Sequence, residues 1–265
     1  LSMHMKKAHL LLFLLLFIGT QLCAQDLTAY HKGIYSRGQE SMQYRILYPE
    51  NFNADQKYPI IFFLHGSGER GSDNQKQLVH GGSLFLKPEY RKQFPAIVVF
   101  PQCPENSNWA NLGFADGETG VKRFAFKKGG KPTPTMHALI GMIENLVNKP
   151  FVNKKQVYVG GLSMGGMGTF ELLRRKPKMF AAAFSICGGD HIANVKRYKN
   201  VPLWIFHGGK DNVVPSELSK QIVDHLKIIG KEVKYTLYAD ANHNSWDAAF
   251  AEPQLLPWLF SHQKN

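Results

Sequence analysis

An α/β fold, with a mostly parallel central sheet and helices on both faces, is what three features of the 265-residue sequence predict. Short apolar runs alternate with helical patterns along most of the chain, the signature of parallel strands joined by crossover helices. Two of those runs, Pro59–Leu64 and Ala96–Phe100, are unbroken, as strands buried on both faces must be. Most telling, Gln156–Gly160 runs through Gly161-Leu162-Ser163-Met164-Gly165 into a helical segment that ends at Lys176, before Pro177. That is strand, sharp turn and helix in succession.

Taken in order, the chain opens with a leader. Lys6 and Lys7 precede the apolar run Leu10–Ile18, and small and polar residues follow to Ala24, which is the layout of an export signal with the mature chain starting at Gln25. The run is too short to span a bilayer. A lipid anchor at Cys23 is the competing reading. Residues 25–265 are then one domain, and a 44% hydrophobic composition supplies a sizeable core.

Ala29–Arg37 and Ser41–Tyr48 read as two strands around Gly38; in the second, Met42, Tyr44, Ile46 and Tyr48 alternate with other residues. The central strand Pro59–Leu64 ends in the glycine-dense turn His65-Gly66-Ser67-Gly68-Glu69-Arg70-Gly71, whose backbone N–H groups are free to face a crevice at the sheet edge. Gln93–Cys103 forms the next strand. The polar connection Ala110–Thr133 is longer than compact domains usually carry and reads as a flap, with Phe114, Phe124 and Phe126 to pack it down. Its Lys122, Arg123, Lys127, Lys128 and Lys131 would draw acidic esters to the entrance, or form a plain solvated surface. Thr135–Asn148 keeps helical spacing after Pro134. Strands follow at Ala181–Cys187, Val201–Phe206 and Val233–Tyr238, with an amphipathic helix at Ser216–Ile229 and a final helix over Ser245–His262 broken at Pro253 and Pro257.

Functional loops of such a sheet collect at the carboxyl ends of its strands. Ser163, Asp211 and His243 each follow one there, in that order. A serine hydroxyl needs a base to take its proton, and the base needs a carboxylate to fix its tautomer and stabilise its charged form. His243 is favoured by position, since His225 lies within a helix, His262 is near the C-terminus, and His65 and His207 close strands where loop hydrogen bonding is expected. Asp190, after Gly188-Gly189, is the rival acid.

The residues Leu64–Gly71, Pro101-Gln102-Cys103-Pro104, Gly161–Gly166 and His243-Asn244-Ser245-Trp246-Asp247 together resemble an α/β-hydrolase over the whole mature chain. The resemblance is closer still to secreted bacterial carboxylesterases, sometimes labelled predicted peptidases, which are related to phospholipase/carboxylesterase and feruloyl-esterase-like enzymes. It implies an oxyanion hole made by the Met164 N–H and an N–H from Ser67 or its neighbour Gly66. It also implies a substrate groove lined by Trp109 and Trp246, for each of which a core position is the other reading. The implied function is cleavage of carboxylic esters through a Ser-His-Asp triad, on a small-molecule or oligosaccharide ester. A prolyl-oligopeptidase-type serine peptidase and a silent binding protein on the same fold are the alternatives, the first disfavoured because the mature 241 residues (265 − 24) leave no room for a gating domain.

Other classes lack support. The net charge of +12, falling to +10 when Lys6 and Lys7 leave with the leader, is spread along the chain, and no nucleic-acid motif accompanies it. No glycine-rich turn has the spacing of a phosphate or dinucleotide loop, so no cofactor is expected. No metal is expected either, because Asp240, His243 and Asp247 lack paired histidines at metal spacing. Once the leader is gone, stable membrane association is not expected, and the setting is secreted or periplasmic. Cys103 and Cys187 would sit on strands three positions apart, too far for a disulfide.

Overall fold

The computed structural model describes residues 26–116 and 122–265. The predicted leader, with Cys23 and the cut after Ala24, lies outside the described residues. Among the described residues there are ten strands: β1 (His31–Arg37), β2 (Glu40–Leu47), β3 (Tyr58–Leu64), β4 (Ile97–Pro101), β5 (Leu112–Asp116), β6 (Lys122–Phe126), β7 (Val152–Leu162), β8 (Ala182–Ile186), β9 (Leu203–Gly208) and β10 (Lys234–Tyr238). Eight of them form one sheet in the order β1-β2-β4-β3-β7-β8-β9-β10, while β5 and β6 pair separately. The two pairings at the β1 end, β1 with β2 and β2 with β4, are antiparallel and the others in this sheet parallel. This is the α/β-hydrolase arrangement, a mostly parallel sheet entered by an antiparallel pair.

The apolar runs explain the two-sided core. Along β3, Ile60, Phe62 and Leu64 point into one cluster with Val157 and Val159, and Ile61 and Phe63 into another with Tyr158 and Leu162. Strand alternation therefore feeds both faces at once, which is why no polar residue interrupts the run. The helices α1 (Pro88–Gln93), α2 (Pro134–Val147), α3 (Met164–Arg175), α4 (Val195–Tyr198), α5 (Glu217–Ile228), α6 (Trp246–Phe250) and α7 (Leu255–Phe260) complete the chain. Met136, Leu139, Ile143 and Val147 of α2, with Phe170 and Leu173 of α3 and Ile222 of α5, cover one face; Ala249, Leu256 and Leu259 cover the other. The side chain of Thr133 caps α2 by accepting from Met136 N–H at 3.1 Å, and Pro134 follows at the first helical position.

Four details depart from the sequence pattern. Gln93 ends helix α1 and the strand begins only at Ile97, because Pro95 interrupts the backbone between them. Strand β7 starts at Val152, and the polar residues after it are absorbed by a register shift in which Tyr58 faces Val152 but Ile60 faces Val157. The terminal helix breaks only between Ala251 and Gln254; Pro257 sits at the third position of α7, where an N–H would have no intrahelical acceptor. The long connection is a hairpin, β5 and β6, with Leu112 opposite Phe126 and Phe114 opposite Phe124. Leu112, Phe124 and Phe126 pack with Ala110, Met167, Val214 and Leu218, whereas Phe114 stays 60% exposed and meets the flap's own Phe124 ring at 5.4 Å. Cys103 and Cys187 are free and buried, after strands three positions apart, and burial pushes each thiol up to about 12.

Candidate active site

Between β7 and α3 only Ser163 intervenes, and it adopts φ 51° and ψ −118°. A non-glycine residue in that region carries strain of about 1–3 kcal/mol, so the surroundings must hold it there. Ser163 N–H donates to the Ile186 carbonyl at 2.8 Å, and Met167 N–H donates to the Ser163 carbonyl at 3.0 Å. The flanking glycines let strand and helix meet: a Cβ on Gly161 would stand 2.4 Å from Gly165 O, and one on Gly165 would stand 1.9 Å from Leu64 O.

The structure brings Ser163, His243 and Asp211 together. Ser163 Oγ is 3.0 Å from His243 Nε2, and His243 Nδ1 is 2.8 Å from Asp211 Oδ2. Two turns from different strands set this geometry. Gly209 N–H donates to the Tyr238 carbonyl at 2.8 Å and Lys210 N–H to the Ala241 carbonyl at 2.9 Å, and a Cβ on Gly208 would stand 2.2 Å from Asn242 O. The loop bearing Asp211 is thereby tied to the loop bearing His243. Asp211 Oδ1 accepts from the N–H groups of Val213 and Val214, both at 2.9 Å, and His207 Nε2 lies 3.4 Å from Oδ2. Burial would raise this carboxyl, but hydrogen bonds from His207, His243, Val214 and Val213 hold it well below the usual carboxylate range.

Met164 opens α3, so its N–H has no acceptor within the helix. The Gly66-Ser67 turn lies alongside: a Cβ on Gly66 would stand 3.8 Å from Ser163 Cβ. His65 locks that turn, donating from Nδ1 to the Gly66 carbonyl at 2.6 Å and accepting from Cys103 N–H at Nε2, 2.9 Å away. Burial lowers the His65 imidazole to about 4, so at neutral pH it is uncharged. Trp109 lines no groove. It is fully buried, its indole N–H donates to the His65 carbonyl at 3.1 Å, and its Cβ fills the space above Gly168, so it belongs to the core. Trp246 is partly exposed, with its ring edge-on to His243 at 5.3 Å.

Asp190, the rival acid, is engaged elsewhere. It accepts from Asn194 Nδ2 at 2.9 Å, His191 N–H at 2.7 Å and Tyr198 OH at 3.1 Å. Burial nonetheless raises it to about 6. A carboxyl raised on folding adds stability that is full below its unfolded value of 3.8 and is lost as pH climbs through about 6. His65, lowered from 6.5 to about 4, does the reverse, since its contribution is present above 6.5 and lost as pH falls towards 4. The two offset one another in mild acid. Asp190→Asn is therefore expected to lose about 1 kcal/mol more stability than the parent between pH 7 and pH 5, read from urea midpoints. Equal pH slopes for the two proteins would refute this.

Sequence reasoning makes Cys187 a free thiol but misses its place beside the triad, where its ligating atom lies within 4.8 Å of those of Asp211 and His243. Those two donors are already bonded to each other, which argues against this trio as a ready metal site. It also missed His80, whose ring lies 5.0 Å from that of Trp246, and the buried Glu69 carboxylate beside Gly66. Glu69 had a signal in the glycine-dense turn; His80 had none, because its position depends on how residues 72–87 pack over the strand ends.

Comparison with known proteins agrees with this architecture. The chain is 24% identical over 208 residues to "Acyl-protein thioesterase 1" of Neurospora crassa, covering 70% of this chain and 80% of that protein. It is 25% identical over 175 residues to "Probable feruloyl esterase C" of Aspergillus oryzae, covering 65% of this chain and 56% of the relative. A solved structure described as a thermostable esterase superposes with TM-score 0.79 at 33% identity, covering 90% of this chain and 64% of its own. The sequence profile described as Phospholipase/Carboxylesterase matches residues 52–254. The chain thus belongs to the phospholipase/carboxylesterase family and is a carboxylic-ester hydrolase of the α/β-hydrolase fold.

Proposed function

We propose that the protein is a serine esterase that works through an acyl-enzyme, with Ser163 as nucleophile, His243 as general base and acid, and Asp211 as the residue that orients His243. The observation that carries this reading is the continuous relay, 3.0 Å from Ser163 Oγ to His243 Nε2 and 2.8 Å from Nδ1 to Asp211. Oγ attacks the ester carbonyl while Nε2 takes its proton, and Asp211 stabilises the resulting imidazolium. The oxyanion is received by the N–H groups of Met164 and of Ser67 or Gly66, worth about 3 kcal/mol per donor. His243 then hands the proton to the departing alcohol, leaving Ser163 acylated. Water enters, loses a proton to His243, and releases the acid and the free serine. Trp246 borders the substrate, and acyl or aryl esters on carbohydrates are the proposed class, in keeping with the names of the feruloyl esterase relatives.

An amide demands protonation of a far poorer leaving group and a held strand, so kcat/KM is expected to be at least about 100-fold higher on an activated ester than on the matched anilide. Equal efficiency on the pair favours the peptidase reading, and hydrolysis of neither favours the silent binding protein. The leader over residues 1–24 makes the proposed setting secreted or periplasmic. Intact mass of exported protein should place its first residue at Gln25; retention of residues 1–24 or a lipid on Cys23 would overturn that.

A further inference from the structure

A ring of contacts leaves Ser163 and returns to it. Ser163 meets His243, whose ring lies 5.3 Å from that of Trp246; Trp246 lies 5.0 Å from the ring of His80; and His80 Nε2 lies 3.6 Å from Glu69 Oε1. Glu69 Oε2 closes the ring across Gly66, where a Cβ would stand 3.0 Å from that oxygen and 3.8 Å from Ser163 Cβ. The carboxylate is therefore within the sum of those two distances of Ser163 Cβ.

Glu69 is only 9% exposed, yet its carboxylate oxygens are not among the fully enclosed polar atoms left without a partner, so they stay within reach of solvent. The His80 contact is beyond hydrogen-bonding distance, and the bonds Glu69 does make use its backbone, from its own N–H to the Gly66 carbonyl and from Gln102 Nε2 to its carbonyl. A carboxylate within reach of solvent can exchange a bound water for a substrate hydroxyl. A negative charge next to a forming oxyanion opposes the chemistry proposed above. A hydrogen-bond donor on the substrate would meet that charge, and the carboxylate's place within the sum of 3.0 Å and 3.8 Å of Ser163 Cβ sets such a donor close to the ester.

We infer that Glu69, backed by His80, is a specificity-determining residue that accepts a hydrogen bond from a substrate hydroxyl close to the ester bond. The preferred substrates are then hydroxyl-bearing esters, such as partly acylated polyols, over plain alkyl esters of the same size. Two carboxylate oxygens suit neighbouring hydroxyls, and the Trp246 and His80 rings offer carbon surface beside them. This rests on the serine-esterase reading.

The test uses the whole protein and two size-matched pairs: 2-hydroxyethyl acetate against propyl acetate, and ethyl lactate against ethyl isobutyrate. The parent is expected to prefer the hydroxyl-bearing member of at least one pair, and the responding pair tells whether the hydroxyl sits on the alcohol or the acyl side. Glu69→Ala should lower that ratio of kcat/KM values about tenfold or more. Glu69→Gln, which keeps an acceptor oxygen without the charge, should fall between, and decides the matter alone if the alanine variant does not fold. No preference in the parent, or rates that fall together so that the ratio holds within twofold, overturns the inference. If the parent hydrolyses none of the four esters, and no activated aryl ester either, the esterase reading itself fails.

Discussion

Ser163→Ala is expected to lower kcat on an activated aryl ester by about 10⁴-fold or more. The nearby thiol of Cys187 cannot take over the covalent step, since it is buried and raised to about 12. His243→Ala should cost about as much. Asp211→Ala should cost less, because the Ser163 to His243 bond survives while the tautomer and the imidazolium lose their support. Folding should be untouched by Ser163→Ala, as the removed hydroxyl makes its hydrogen bond to His243 and packs no core cluster. The thermal midpoint is thus expected to stay within about 3 °C, so that lost activity cannot be blamed on lost structure. Wild-type turnover by the alanine variant would remove Ser163 from the mechanism.

Gly165→Ala is expected to prevent normal folding. The new Cβ would stand 1.9 Å from Leu64 O and 2.7 Å from His65 O, and both are backbone atoms of the central strand and its turn. No rotamer can relieve such a contact. Helix α3 must draw back from β3, and with it the core under Met164 and Phe170 opens, at a cost of roughly 4 kcal/mol or more. Gly113→Ala is the control, since nothing lies within 4 Å of its Cβ position. Soluble Gly165→Ala protein with an unchanged thermal midpoint would show that the close approach of strand and helix has been misjudged.

The eight strands of the main sheet, the two-faced burial of β3 and β4, and the turn at Ser163 were all legible in the residues. Each is a local matter: unbroken apolar runs report strands covered on both sides, and glycines two before and two after a serine report a backbone crossing without room for Cβ. Even the order Ser163, Asp211, His243 follows from where strands end. What local pattern could not say is which distant groups meet. Trp109 could equally have faced a groove or the core, and the packing of its Cβ over Gly168 decided for the core. Asp190 and Asp211 both follow glycines at strand ends, but only the Asp211 loop is stitched to the loop carrying His243. The β5–β6 hairpin was hidden because its polar and basic residues resemble a loop until cross-strand pairing and the Met167–Val214 cluster give them a partner. The Glu69 carboxylate and His80 lie eleven residues apart (80 − 69) in a stretch without long regular structure, where register sets no spacing. The sequence by itself therefore determined the sheet and the turn that presents Ser163. The tertiary structure alone decided which acid, which tryptophan and which carboxylate stand around it, because those contacts depend on loop packing between strands far apart in the chain.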